Sequence, residues 1–149
     1  MPATQIQPFP LVRRGNRVFP VRPLQQLLCA RGHSVHVDGL FGPRTESAVE
    51  AFQDEAGLDV DGIVGPATWS RLILTVRRGS NGDAVRGVQE VMKFHDQSDG
   101  EGPTIHVDGV FGPQTENFVR GFQNALGMDS DGIVGPVTWR ALVSGMLSG

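Results

Sequence analysis

A duplication constrains this chain more than any other feature of its sequence. Residues 37–73 read VDGLFGPRTESAVEAFQDEAGLDVDGIVGPATWSRLI and residues 107–143 read VDGVFGPQTENFVRGFQNALGMDSDGIVGPVTWRALV, identical at 22 of 37 positions at an offset of 70. Upstream, Val12-Arg13-Arg14-Gly15 matches Val76-Arg77-Arg78-Gly79 and Gln25 matches Gln89 at an offset of 64, so the second copy carries six extra residues. These fall around Gln97 to Thr104, a Gly-, Asp- and Ser-rich stretch whose composition predicts an exposed loop. A fold that satisfies one copy must satisfy the other, so two similar bodies are expected rather than one mixed core.

Within each copy a shorter pattern recurs. Asp-Gly-apolar-apolar-Gly-Pro-x-Thr begins at Asp38, Asp61, Asp108 and Asp131. Asp-Gly permits a tight turn, and Pro presets φ in a first helical turn, where its missing N–H costs nothing. After Pro43, the apolar residues Ala48, Val49, Phe52 and Ala56 recur at helical spacing; after Pro113, Phe118, Val119, Phe122 and Leu126 do the same. Gly57 and Gly127 then stand where a left-handed cap ends a helix.

An earlier helix in each copy is marked by Leu24, Leu27 and Leu28, with Pro20 and Pro23 near its start, and by Val85, Val88, Val91 and Met92. A shorter one follows Pro66 and Pro136, carrying Trp69 with Leu72 and Trp139 with Leu142. The expectation is an all-α chain of two tandem three-helix modules joined by short Asp-Gly and Gly-Pro turns. A Pro-rich tail covers 1–11, module 1 covers 12–75 and module 2 covers 76–149. Each is small enough to be marginal alone, so the two are expected to pack on each other.

Composition excludes several classes. Thirteen Lys and Arg against sixteen Asp and Glu give a net charge of −3, the wrong sign for a nucleic-acid binder. No apolar run approaches the roughly 20 residues of a membrane span, and Met1 to Pro10 lacks the basic and apolar regions of a signal peptide. With Cys29 as the sole cysteine, neither an internal disulfide nor a multi-cysteine zinc site can form.

The string from Val37 through Trp69, with DG-x-FGP-x-T, AV-x-x-FQ and DGIVGP-x-TW, resembles the peptidoglycan-binding modules attached to cell-wall amidases, muramidases and carboxypeptidases; Val107 through Trp139 resembles them equally. The resemblance implies a three-helix fold and non-covalent attachment to bacterial peptidoglycan, with no cofactor and no metal. It therefore places the chain at the cell wall or outside the cell, while the missing signal peptide leaves phage-derived and intracellular origins open. Departures are modest: Phe118 stands where the first copy has Ala48, Ser130 where it has Val60, and Pro20 with Pro23 make the first helix unusual.

Candidate ligand contacts follow from the chemistry of murein, whose hydroxyl, acetamido and stem-peptide carboxylate groups suit amide and guanidinium donors. Arg44 and Gln114 follow Gly-Pro, Gln53 and Gln123 share one helix position, and Asp61 and Asp131 sit at the second turn of each copy. Gln53 and Gln123 serve equally well to tie down turns. Trp69 and Trp139 offer rings for stacking on sugar, but their spacing with Leu72 and Leu142 favours packing in the core. Phe41, Phe52, Phe111 and Phe122 are expected in that core.

Other chemistries find less support. The Asp-Gly motifs run straight into apolar residues and lack the alternating oxygen ligands of a calcium loop. His36 with Asp38, or His106 with Asp108 and the nearby His95, Asp96, Asp99 and Glu101, fall short of a converging ligand set. Cys29 lies in Leu-Cys-Ala-Arg-Gly-His, without the Pro-Arg-Cys-Gly context of an inhibitory propeptide, and aligns with Lys93. Neither a nucleophile elbow nor a paired acid site accompanies the histidines, so no enzyme is expected.

Two tandem sites would gain avidity on a polymeric wall. Two alternatives remain at this stage: a protein–protein scaffold of a phage or secretion assembly that reuses the fold, and the targeting part of a cell-wall hydrolase.

Overall fold

The computed structural model describes residues 8–17, 19–99 and 106–144, with 95–99 described by backbone alone. Among these residues there are six helices and no β-strand: α1 (Val21–Ala30), α2 (Pro43–Ala56), α3 (Pro66–Leu72), α4 (Asp83–Asp99), α5 (Pro113–Ala125) and α6 (Pro136–Val143). The chain is all-α, with helices α1 to α3 and α4 to α6 repeating one arrangement.

Four helices begin as the motif predicts. Gly42, Gly65, Gly112 and Gly135 are extended, and Pro43, Pro66, Pro113 and Pro136 open the helices behind them. Gly57 ends α2 in the left-handed conformation, at φ 73°. In the second copy Leu126 caps α5, and the left-handed residue is the following Gly127, also at φ 73°.

The extra residues of the second copy do not all form a loop. α1 has 10 residues and α4 has 17: at the 64-residue offset α4 starts earlier, at Asp83, and also runs on through Gln97, Ser98 and Asp99. These polar residues retain helical propensity once a helix is nucleated ahead of them, so composition alone misplaces its end. Gly100 to Thr104, the rest of the expected loop, lies outside the described residues.

Each module closes its core with a short extended segment that precedes its first helix. Val12 pairs with Val64 and Arg17 with Leu40; Val76 with Val134 and Asn81 with Val110 repeat this. The indole Nε1 of Trp69 donates to Pro10 O at 2.8 Å, and that of Trp139 to Leu74 O at 2.7 Å. Phe9 stacks on Trp69 with ring centres 5.8 Å apart. The packing of the first module therefore starts ahead of Val12, inside the stretch expected to be a tail.

The two modules meet through their first helices, α1 and α4. Glu90, only 7% exposed, accepts from Arg22 Nε at 2.9 Å and Nη2 at 3.3 Å, and from Gln26 Nε2 at 3.0 Å. Phe19 stacks on Phe94 at 4.8 Å across the same contact. A Cβ on Gly87 would lie 3.2 Å from the Trp139 ring and 3.5 Å from Pro23 O, so the approach depends on the missing side chain. Among the described residues no helix is long and apolar enough to cross a membrane.

Gly87→Leu is expected to destabilise the chain by about 1–3 kcal/mol through overpacking between the modules. Urea unfolding followed by tryptophan fluorescence checks this, and an unchanged midpoint would show that the helices part freely.

Candidate functional site

Four buried glutamines organise the surface turns. Gln53 Nε2 donates to Asp61 Oδ1 at 2.9 Å, Ile63 O at 3.0 Å and Thr68 Oγ1 at 3.1 Å, while its Oε1 accepts from the N–H groups of Asp61 and Gly62. Gln25 does the same for Asp38, Leu40, Thr45 and the N–H groups of Asp38 and Gly39. In the second module Gln89 holds Asp108, Val110, Thr115 and Gly109, and Gln123 holds Asp131, Ile133, Thr138 and Gly132. Three acceptors converge on two amide protons, so the contacts around each Nε2 are shared.

Each aspartate closes its own turn as well. Its Oδ1 accepts the N–H two residues on, at 2.9 to 3.0 Å, from Leu40, Ile63, Val110 and Ile133. These backbone donors are the main reason that all four carboxyls are held below the ordinary aspartate value; the glutamine amides add to the effect and desolvation opposes it.

Several sequence candidates thereby leave the ligand surface. Gln53 and Gln123 are 1% exposed with their amides committed to the turns, and Trp69 and Trp139 are fully buried. With no exposed surface, neither indole can stack on a sugar ring in this fold. Asp61 and Asp131 stay exposed, but one oxygen of each is occupied by its turn.

Arg44 and Gln114 remain fully available. Both are exposed at the first turn of α2 and α5, and among the described residues neither side chain has a partner. Arg44 borders a groove of about 560 Å³ shared with Ser34, Val35, His36, Pro43 and Ser47. His36, which the sequence offers as a metal ligand or a catalytic group, is an exposed lip of this groove. The contact joins residues from the segment before the turn to the helix after it, and no motif spacing announces that.

A second groove of about 400 Å³ lies at the start of α3, lined by Leu11, Leu58, Asp59, Asp61, Pro66 and Ala67 among others. It repeats the first at the internal offset, with Asp59 and Ala67 in place of His36 and Arg44. The first groove carries cationic and hydroxyl donors; the second offers carboxylates and apolar carbons beside Gln53 and Thr68, which are buried and committed to the turn.

The side chains of His95, Asp96, Asp99 and Glu101 lie outside the described residues. Among the described residues no three His, Cys, Asp or Glu side chains converge on a metal-sized site. Cys29 is half-buried, its thiol 3.4 Å from Val35 O. His33 pairs with Glu55 at 3.1 Å at the exposed edge of α2.

Two small helical bodies, the first carrying an open groove lined by Arg44, His36 and serine hydroxyls, have the form of a binding module. The family comparison agrees: the model for the peptidoglycan binding domain matches residues 20–72 and 81–142. The chain belongs to that family, twice over. It is 36% identical over 121 residues to the zinc D-Ala-D-Ala carboxypeptidase of Streptomyces albus G, covering 81% of this chain and 44% of that protein. To the N-acetylmuramoyl-L-alanine amidase CwlL of Bacillus licheniformis it is 31% identical over 157 residues, covering 86% and 44%. A solved peptidoglycan-binding protein from Clostridioides difficile shares 43% identity over 42% of this chain and 40% of that one, with a TM-score of 0.42. The chain thus spans less than half the length of these curated relatives.

Gln53→Ala would orphan two backbone N–H groups, a carbonyl and a threonine hydroxyl at once, and is expected to cost about 2–4 kcal/mol in urea unfolding. The carboxyls give a pH signature. Their folded values lie below the unfolded one, so the stability they contribute is complete above it and is lost as the pH falls below about 4. Asp38→Asn with Asp61→Asn should flatten the acid-unfolding curve in that range; an unaltered slope would remove the turns from acid sensitivity.

Proposed function

We propose that the chain binds bacterial peptidoglycan without cleaving it, using its two modules to anchor or target whatever carries them to the wall. The observation that carries this reading is the Arg44 guanidinium, unpartnered among the described residues, on the lip of a groove whose other donors are His36, Ser34 and Ser47. A planar guanidinium suits the carboxylates of stem peptides, and hydroxyl and imidazole groups suit acetamido and sugar oxygens. Module 2 contributes Gln114 from the matching place, and joining two weak contacts in one chain makes the second intramolecular. Asp61 and Asp131 remain secondary contacts, through the carboxylate oxygens their turns leave free. Murein is the proposed partner, alongside whatever catalytic domain or protein the modules carry.

A second reading is favoured by the length of the relatives. The carboxypeptidase and the amidase extend well beyond the matched region, which supports service as the targeting part of a cell-wall hydrolase. In both readings the modules do the same thing, and the location is the cell wall.

Sedimentation with purified sacculi is the test. Arg44→Ala should weaken retention about five- to tenfold, the scale of one charge-assisted contact. Its melting temperature should stay near that of the parent protein, as for an exposed residue without contacts. Parent protein that stays in the supernatant, or that releases muropeptides from the sacculi, would overturn the proposal.

A further inference from the structure

Arg44 and Gln114 stand at the same point of two matching frames. Gly42 and Gly112 have nearly the same backbone, φ −101° and ψ −168° against φ −103° and ψ −165°, and each is followed by Pro at the first helical position. Gln25 and Gln89 tie the two turns through equivalent hydrogen bonds. Both side chains are exposed and, among the described residues, unpartnered. What differs is the chemistry presented: guanidinium in module 1, carboxamide in module 2.

One turn further along each helix the difference repeats. Ser47 lies three residues after Arg44 and borders the same groove, and Asn117 lies three residues after Gln114, again exposed. Residues three apart share a helix face. Module 1 therefore offers a charged fork with a hydroxyl, and module 2 a pair of amides.

These pairs fit different forms of one functional group. A carboxylate only accepts hydrogen bonds and matches the all-donor fork of Arg44. A carboxamide both donates and accepts, and an amide side chain meets it with one bond in each direction. Against a free carboxylate, an amide can use its N–H donors alone and gains nothing from its carbonyl oxygen. Resting on the wall-binding reading above, we infer that the two modules discriminate the state of stem-peptide carboxyl groups: module 1 selects the free acid through Arg44, and module 2 selects the amidated form through Gln114. The chain then holds walls in which both forms occur, and its affinity depends on their ratio.

The experiment uses the full chain and two muropeptides that differ only in one side-chain carboxyl, free or amidated, titrated by calorimetry and by amide NMR shifts at the starts of α2 and α5. Arg44→Ala should lose about tenfold on the free acid and less than about twofold on the amide, the size of one charged contact; Gln114→Ala should do the reverse. Arg44→Lys should keep the preference for the free acid, and exchanging the two residues should exchange which module's signals respond to which ligand. Thermal unfolding confirms that each variant is folded. Variants that weaken both ligands by the same factor, or neither, overturn the inference while sacculus retention leaves wall binding standing. Loss of retention in the parent protein overturns both.

Discussion

Everything in this structure depends on a buried glutamine reaching from one helix into the turn that starts the next. The amide group is the one neutral side chain able to accept two backbone N–H groups at one end and donate to a carboxylate, a carbonyl and a hydroxyl at the other. Glutamate in its place would accept the same N–H groups but set a second negative charge against Asp38, Asp61, Asp108 or Asp131 in a buried site. Methionine would match the length and leave the N–H groups that the glutamine Oε1 accepts from without a partner. With Gln25, Gln53, Gln89 and Gln123 in position, four Asp-Gly turns become rigid and four proline-started helices leave them at set angles.

The helices were legible because their signals are local. Pro43, Pro66, Pro113 and Pro136 mark the starts, and the apolar stripes through Val49 with Phe52 and Val119 with Phe122 mark the buried faces. The end of α4 was not legible, since polar residues carry no stop signal comparable to Gly57 and the decision lies in a helix already nucleated upstream. The hub role of Gln25 was also hidden: it sits 13 residues before Asp38, whereas Gln89 precedes Asp108 by 19, so a spacing search sees no shared motif. For the candidate site, Arg44 and Gln114 were readable from their place after Gly-Pro. The burial of Trp69 and Trp139 was decided by Pro10 and Leu74, about 60 residues away in sequence from the indoles they accept from.

Packing of α1 on α4 gives the duplication a consequence that neither module has alone. Glu90 gathers Arg22 and Gln26 from the opposite module, and Gly87 lets the helices approach closely. A flexible tether would supply effective concentration at the expense of orientation, whereas a packed interface presents the surfaces of its two modules in one relative geometry. Such a pair gains most on a ligand that is itself periodic and stiff. The arrangement also joins two cores, each too small to be secure, into a larger one.

The repeated motif separates what folds the chain from what it can recognise. In Asp-Gly-apolar-apolar-Gly-Pro-x-Thr, the aspartate, second-position glycine, proline and threonine are committed to the turn, with Thr45, Thr68, Thr115 and Thr138 all buried against a glutamine. Among the described residues, the one between proline and threonine makes no side-chain hydrogen bond or ion pair. At its four occurrences it is Arg44, Ala67, Gln114 and Val137, exposed every time. A side chain there can change charge, polarity or size without disturbing a hydrogen bond of the fold, because the turn is satisfied from behind by the glutamine. The chain has therefore kept one scaffold four times over while presenting a cation, a methyl group, an amide and an isopropyl group from equivalent positions, and differences in binding among them can arise at little cost in stability.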